Sequence, residues 1–138
     1  FGKYKKPSFP PEETICADAA LLRNTGIHTG DFTSIKEHVE ENSFVYFDPP
    51  YRPLNRTSSF ISYASGGFSE DDQRRLAEFF IECSNAGAGC MLSNSDPGDG
   101  FLEELYRDFK IRRVPARRSI NSDKTGRGKI TELLITNY

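Results

Sequence analysis

A β-prone apolar run, Phe44-Val45-Tyr46-Phe47, meets two prolines almost at once in Asp48-Pro49-Pro50-Tyr51. The run suits a central strand buried on both faces. Proline fixes φ and has no N–H for a ladder, so the strand has to end at Asp48. The chain therefore leaves the sheet at the strand's C-terminal end, the edge where open α/β sheets bind ligands. The turn offers a ligand acceptors only, the Asp48 carboxylate and the proline carbonyls, with the flat face of Tyr51 beside them. Such a cradle suits an amino group with two protons to place on a planar ring. A flipped base carrying an exocyclic amine meets both demands. A plain strand-ending turn with a chance tyrosine is the bland alternative.

The rest of the chain alternates helix and strand patterns. Residues 1–11 are basic, aromatic and proline-rich, an extended arm rather than a helix. Good helix formers from Ala17 to Asn24 precede a stop at Thr25-Gly26. Ile27 to Phe32 is a short strand candidate, and Ser34 to Glu40 a short helix with Ile35 and Val39 on one side. Arg52 to Gly67 has no periodicity and is long for a loop in a compact domain, the kind that is functional or disordered. Ser69 with Asp72 three residues on forms a capping-box start. Leu76, Phe79, Phe80 and Cys83 then recur at helical spacing until Asn85 to Gly89. Cys90-Met91-Leu92 reads as a buried strand stopped by Ser93-Asn94-Ser95. Gly100 to Asp108 reads as a helix carrying Phe101, Leu105 and Leu102. Phe109 to Val114 and Ile130 to Tyr138 close the chain as two strands without a helix between them, an antiparallel pair at one edge. The alternation predicts an α/β fold with a largely parallel sheet.

With 36% hydrophobic residues, eleven Phe and six Tyr among 138 residues, the chain can bury a core of about one domain. No apolar run approaches the ~20 residues that span a membrane. The net charge of −2 argues against a nucleic-acid partner, but its distribution argues for one. Lys110 to Lys129 holds eight basic residues and one acid, Asp123, and Lys3, Lys5 and Lys6 form a second basic cluster. Acids gather between Glu70 and Asp108. One basic face turned to a polyanion explains such segregation; ordinary solvated charge explains it equally well. Cys16, Cys83 and Cys90 have neither disulfide nor zinc spacing and read as reduced thiols of a cytoplasmic protein. His28 and His38 show no ligand pattern, so no metal site is expected.

The motifs together resemble the Dam-like (D12 class) DNA N6-adenine methyltransferases. The likeness is ordered along the chain: Phe1-Gly2-Lys3-Tyr4-Lys5-Lys6-Pro7, Gly30-Asp31-Phe32, Phe44 to Pro53, Ser59-Phe60-Ile61-Ser62-Tyr63, Leu92-Ser93-Asn94-Ser95, Arg117-Arg118-Ser119-Ile120-Asn121-Ser122 and Glu132-Leu133-Leu134. Asp-Pro-Pro-Tyr alone recurs in several methyltransferase families; the ordered set is the specific part. The resemblance implies a partial Rossmann-like, S-adenosylmethionine-dependent methyltransferase fold, mostly parallel, with a C-terminal antiparallel hairpin. It implies methyl transfer to adenine N6 in double-stranded DNA at GATC, in a prokaryotic or phage setting. Asp48, Pro49, Pro50 and Tyr51 are then the catalytic set. Asp31 and Phe32, with Asp48, face the cofactor. Lys3, Tyr4, Lys5, Phe60, Tyr63, Asn94, Arg117 and Arg118 are the DNA candidates.

Residues 1–12 correspond to the end of the target-recognition arm and 13–138 to the C-terminal part of the catalytic domain. The family's F-x-G-x-G cofactor loop, its Lys-containing N-terminal motif and most of its recognition region are not in this chain. The expectation is a piece of a longer polypeptide, with little activity alone. Two other readings stay open: an RNA or protein-amide methyltransferase sharing the turn, and a non-catalytic DNA-binding fragment.

Overall fold

A computed structural model of the chain describes residues 9–54, 67–117 and 129–138. Contacts divide the chain into a first unit ending at Asp31 and a second running Phe32–Tyr138. In the first unit, helix α1 spans Glu12–Leu22. Pro11 precedes it, where a missing N–H costs nothing, and the acids Glu12 and Glu13 sit at the positive end of the helix dipole. No strand forms over Ile27 to Phe32, contrary to the expectation. Ile27 is exposed and has no neighbouring strand to pair with among the described residues.

The second unit opens with a 3-10 helix, Phe32–His38, where the Ile35–Val39 spacing predicts a short helix. Strand β1 is Phe44–Phe47, helix α2 Glu70–Asn85 and strand β2 Gly89–Ser95. A short helix α3, Phe101–Leu105, leads to strands β3 (Lys110–Arg117) and β4 (Lys129–Thr136). The sheet order is β1-β2-β4-β3. β1 and β2 are parallel, joined by α2 as a crossover. β2–β4 and β3–β4 are antiparallel. The expected terminal hairpin is present, but the expected mostly parallel sheet is not. The described sheet is mixed, because the hairpin returns β4 alongside β2 and only one pairing is parallel. No helix among the described residues is long and apolar enough to cross a membrane.

Helix α2 shows how local sequence builds the scaffold. Ser69 Oγ accepts from the Asp72 N–H at 3.1 Å while Asp72 Oδ2 accepts from the Ser69 N–H at 2.9 Å, a closed capping box. Hydrogen bonds from the Ser69 hydroxyl and N–H hold the Asp72 carboxyl below its ordinary pKa. At the other end, the Ala88 N–H reaches Cys83 O and the Gly87 N–H reaches Ser84 O, with Gly87 at φ +89°. This glycine-terminated pair of hydrogen bonds closes the last turn. The predicted stripe Leu76, Phe79, Phe80 and Cys83 is buried, together with Gln73 and Ala77. It packs on Val45, Phe47, Cys90, Leu92, Leu133 and Ile135 of the sheet. Phe80 is the hub, in edge contact with Tyr106 at 5.3 Å and Phe109 at 4.9 Å.

Two strand expectations change. β1 is not buried on both faces: Val45 and Phe47 point inward, while Phe44 and Tyr46 are 60% and 53% exposed. α2 covers only one face of the sheet. β2 does not stop at Leu92 either. It continues through Ser93, Asn94 and Ser95, which pair with Leu134, Leu133 and Glu132 of β4.

Two measurements test this scaffold. Ser69→Ala is expected to lower unfolding free energy by about 1 kcal/mol and to return Asp72 towards ordinary titration, as read by denaturant melts and carboxyl NMR shifts. Because the Asp72 pKa is lowered in the fold, its contribution is present above the ordinary carboxyl value and fades as pH falls through the shifted one. The thiols are expected to split. Cys16 is exposed and should react readily with a thiol reagent, whereas Cys83 and Cys90 are buried and should react only on unfolding. Burial pushes the Cys90 thiol up to about 11, so this thiol's contribution to stability should fall as pH climbs from its ordinary 9.0 towards that value.

Candidate active site at the strand–proline turn

The site stands at the C-terminal end of β1, as the prolines require. Asp48 and Pro50 are exposed and Pro49 is half-buried. A cavity of ≈ 360 Å³ opens beside them, lined by Phe32, Ile35, Val45, Tyr46, Phe47, Asp48, Pro49, Pro50, Phe68 and Leu76. Its walls are largely apolar and aromatic, with the carboxylate and proline backbone at one side. Phe32 is held in it by tilted contacts to Phe68 at 6.1 Å and Phe79 at 6.0 Å. Phe32, an expected cofactor residue, thus meets the Asp48 turn in one cavity. Asp31 belongs to the first unit and is exposed.

A proline pair cannot anchor itself with donors, so the turn is held from α2 and β2. The Gln73 side-chain amide donates to the Pro50 carbonyl at 3.3 Å. Asn94 Oδ1 accepts from the Arg52 N–H at 3.0 Å, and the Asn94 amide donates to Gln73 Oε1 at 3.3 Å. The Ser95 hydroxyl donates to the Arg52 carbonyl. Among the described residues, no donor reaches the Pro49 carbonyl. Of the two proline carbonyls, only that of Pro50 is engaged by a described residue.

Arg52 locks the outer side of the turn. Its side chain is 11% exposed, and Nη1 lies 2.8 and 2.7 Å from the two Asp99 carboxylate oxygens. Nη2 donates to Glu70 Oε1 at 2.9 Å, and the guanidinium sits 4.2 Å from the centroid of the Phe101 ring. Burial pushes the Asp99 carboxyl up, but the Arg52 hydrogen bond and charge outweigh it and hold the carboxyl below its ordinary value. Tyr51 is anchored by its hydroxyl, which donates to Ser93 Oγ at 2.9 Å, while the residue remains 39% exposed. Burial raises the Tyr51 pKa above 10, outweighing the opposing Ser93 hydrogen bond, so the phenol keeps its proton at neutral pH. Ser93 also lies 3.3 Å from Asp48 Oδ1.

The DNA candidates fare differently. Asn94 is 0% exposed and its amide is committed to the turn, so it has no surface with which to touch DNA. The expected contact is replaced by a supporting role, because β2 runs on past Leu92 and carries Asn94 inside. Arg117 ends β3 opposite Lys129. Lys3, Tyr4, Lys5, Phe60, Tyr63 and Arg118 lie outside the described residues. Part of the basic C-terminal stretch is neutralised: Arg113 pairs with Asp96 at 2.7 Å and with Glu103. Among the described residues, no group of three or more His, Cys, Asp or Glu could hold a metal ion.

Sequence reasoning missed Gln73, Arg52, Phe68 and Ser93. Gln73 carried a usable signal, since a polar residue three before Leu76 stands on the apolar stripe of α2 and needs a buried partner there. Ser93 carried none. Its importance depends on which strand lies beside β1.

Asn94→Ala tests the scaffold directly. It leaves the Arg52 and Ser95 N–H groups without their acceptor, which is expected to cost roughly 2–4 kcal/mol in denaturant melts.

Comparison with known proteins follows the same line. A family model described as D12 class N6 adenine-specific DNA methyltransferase matches residues 1–120. The chain is 49% identical over its whole length to the type II methyltransferase M.MjaIII of Methanocaldococcus jannaschii, of which it covers 48%. It is 42% identical, again over its whole length, to the type II methyltransferase M1.LlaDCHI of Lactococcus lactis subsp. cremoris, covering 49% of that protein. With a DNA adenine methylase of Vibrio cholerae it shares 36% identity over 97% of the chain and 48% of the relative. The chain thus spans about half the length of these relatives.

Proposed function

The chain belongs to the D12 class of N6 adenine-specific DNA methyltransferases, and from that membership we propose that its strand–proline turn receives a flipped adenine for methylation at N6, with S-adenosylmethionine as donor. The observation that carries this reading is the pairing of an acceptor-only turn with an adjoining aromatic cavity. Residues 1–12 are assigned to the end of the target-recognition arm and 13–138 to the C-terminal part of the catalytic domain.

The cavity suits the donor's adenosyl part. Phe32 and Phe68 offer ring faces, Ile35, Val45 and Leu76 offer apolar walls, and Asp48 offers a carboxylate at the side. S-adenosylmethionine, when bound, supplies an electrophilic methyl group on a sulfonium. The work of the chain is to prepare the nucleophile. Adenine N6 is a weak one because its lone pair is delocalised into the ring. Asp48 and the Pro49 carbonyl accept its two N–H groups, and this favours a more tetrahedral nitrogen with a localised lone pair. Asp48 also stabilises the positive charge that grows on N6, an electrostatic contribution of about 3 kcal/mol in comparable sites. Orientation of the two reactants contributes up to ~7–11 kcal/mol. Tyr51 offers its face to the extruded base, a contact worth about 1–3 kcal/mol against a flipping cost of a few kcal/mol. No covalent intermediate on the protein is required.

The proposed target is GATC in duplex DNA. Lys3, Tyr4, Lys5, Phe60, Tyr63, Arg117 and Arg118 are the proposed DNA contacts, and their phosphate share should weaken steeply with salt. Asp48 in place of an asparagine argues against the protein-amide alternative, and the basic stretch from Lys110 to Lys129 favours a nucleic acid.

The test uses an active polypeptide that carries residues 1–138, with S-adenosylmethionine and matched DNA, RNA and protein substrates. N6-methyladenine confined to duplexes containing GATC is the expected product; methyl groups in RNA or protein instead would reject the reading. Asp48→Ala is expected to lower transfer at least ~1000-fold, near the loss for an electrostatic catalytic group, with DNA affinity changed less than about 3-fold.

A further inference from the structure

Ser93 joins three groups of the site through one oxygen. Tyr51 donates its hydroxyl proton to Ser93 Oγ at 2.9 Å. The Tyr46 hydroxyl lies 2.8 Å from the same oxygen, and Asp48 Oδ1 lies at 3.3 Å. Ser93 itself is buried, at 7% exposure. A serine hydroxyl has one proton and two lone pairs, and an ionised carboxylate can only accept. The single Ser93 proton therefore goes to Asp48. Tyr51 fills one lone pair, so Tyr46 has to fill the other as donor. The chain of hydrogen bonds has one direction, from two phenols through Ser93 to Asp48.

We infer that Ser93 is a positioning residue for methyl transfer, which fixes the carboxylate of Asp48 and the ring of Tyr51 with a single hydroxyl. This rests on Asp48 being the acceptor for the adenine amine. With Oδ1 turned to Ser93, Oδ2 is left for N6–H, and the carboxylate cannot swing freely about its own bond. The sheet register builds the arrangement. Phe47 pairs with Leu92 in parallel β1 and β2, so the next residues, Asp48 and Ser93, stand side by side on the face that also carries Tyr46. Burial keeps the Tyr51 phenol protonated, which the scheme requires at neutral pH. Tyr46 stands one turn of the pleat behind Asp48 and acts as the second brace.

The experiment uses an active polypeptide containing residues 1–138 and compares Ser93→Ala, Ser93→Thr and Asp48→Ala. Single-turnover transfer rates and the KM values for duplex DNA and S-adenosylmethionine are measured for each. Ser93→Ala is expected to slow transfer about 10- to 100-fold, as displacement of a reacting group by ~1 Å does, with both KM values within about 3-fold. Ser93→Thr keeps the hydroxyl and is expected to recover the rate to within about 5-fold of the parent. Ser93→Ala at the parental rate, or Ser93→Thr as slow as Ser93→Ala, overturns the inference while Asp48→Ala remains inactive. An active Asp48→Ala would instead overturn the reading on which the inference stands.

Discussion

Two adjacent prolines take two donors away from the end of a half-buried strand, and the surroundings of the site supply what they lack. Backbone at such a place ordinarily secures itself through its own N–H groups. Here the Pro50 carbonyl is held by a glutamine from α2, and the Arg52 N–H, two residues on, is held by an asparagine from β2. Each bond is worth only about 0.5–1.5 kcal/mol net. Together they keep the turn from relaxing and decide which of its acceptors face outward. The supports are rigid because their own elements are anchored in the core, α2 through Leu76 and Phe80, β2 through Cys90 and Leu92.

Charge follows a related logic. Along the chain, acids and bases separate into blocks, which suggests one acidic and one basic face. In space the blocks interleave. Arg52 is matched by Asp99 and Glu70, and Arg113 by Asp96 and Glu103. The Arg52 side chain is mostly out of water, although its two carboxylate partners are partly exposed, and it stacks on Phe101, so its charge is structural. Arg113 is more exposed, and its pairings weigh less in stability. A run of basic residues in a sequence is therefore not yet a patch, because strands bring distant acids alongside.

Much of the fold was legible where local chemistry is self-sufficient. The capping box at Ser69, the apolar stripe of α2 and the glycine that ends it are all contained within about twenty residues, and each formed. The β1 run and its proline stop were legible for the same reason. Legibility failed where an element depends on a neighbour. Ile27 to Phe32 has strand composition but no partner strand among the described residues. Ser93-Asn94-Ser95 has turn composition, yet it is strand because β4 lies beside it. The sheet reads as parallel from the alternation of patterns, whereas the hairpin makes two of its three pairings antiparallel.

By itself, the sequence determined the chemical character of the site: a strand that must stop, a turn that can only accept, an aromatic ring at its side and a motif order shared with a methyltransferase family. The tertiary structure alone decided which groups hold the turn in place. Gln73 reaches Pro50 across 23 residues and Ser93 reaches Asp48 across 45. It also turned Asn94 from a candidate contact into a buried brace and put Phe32 into the cavity beside Asp48. The physical reason is register. Hydrogen-bond partners on neighbouring strands are set by how the strands pair, and that pairing is settled by core packing rather than by any local stretch of chain.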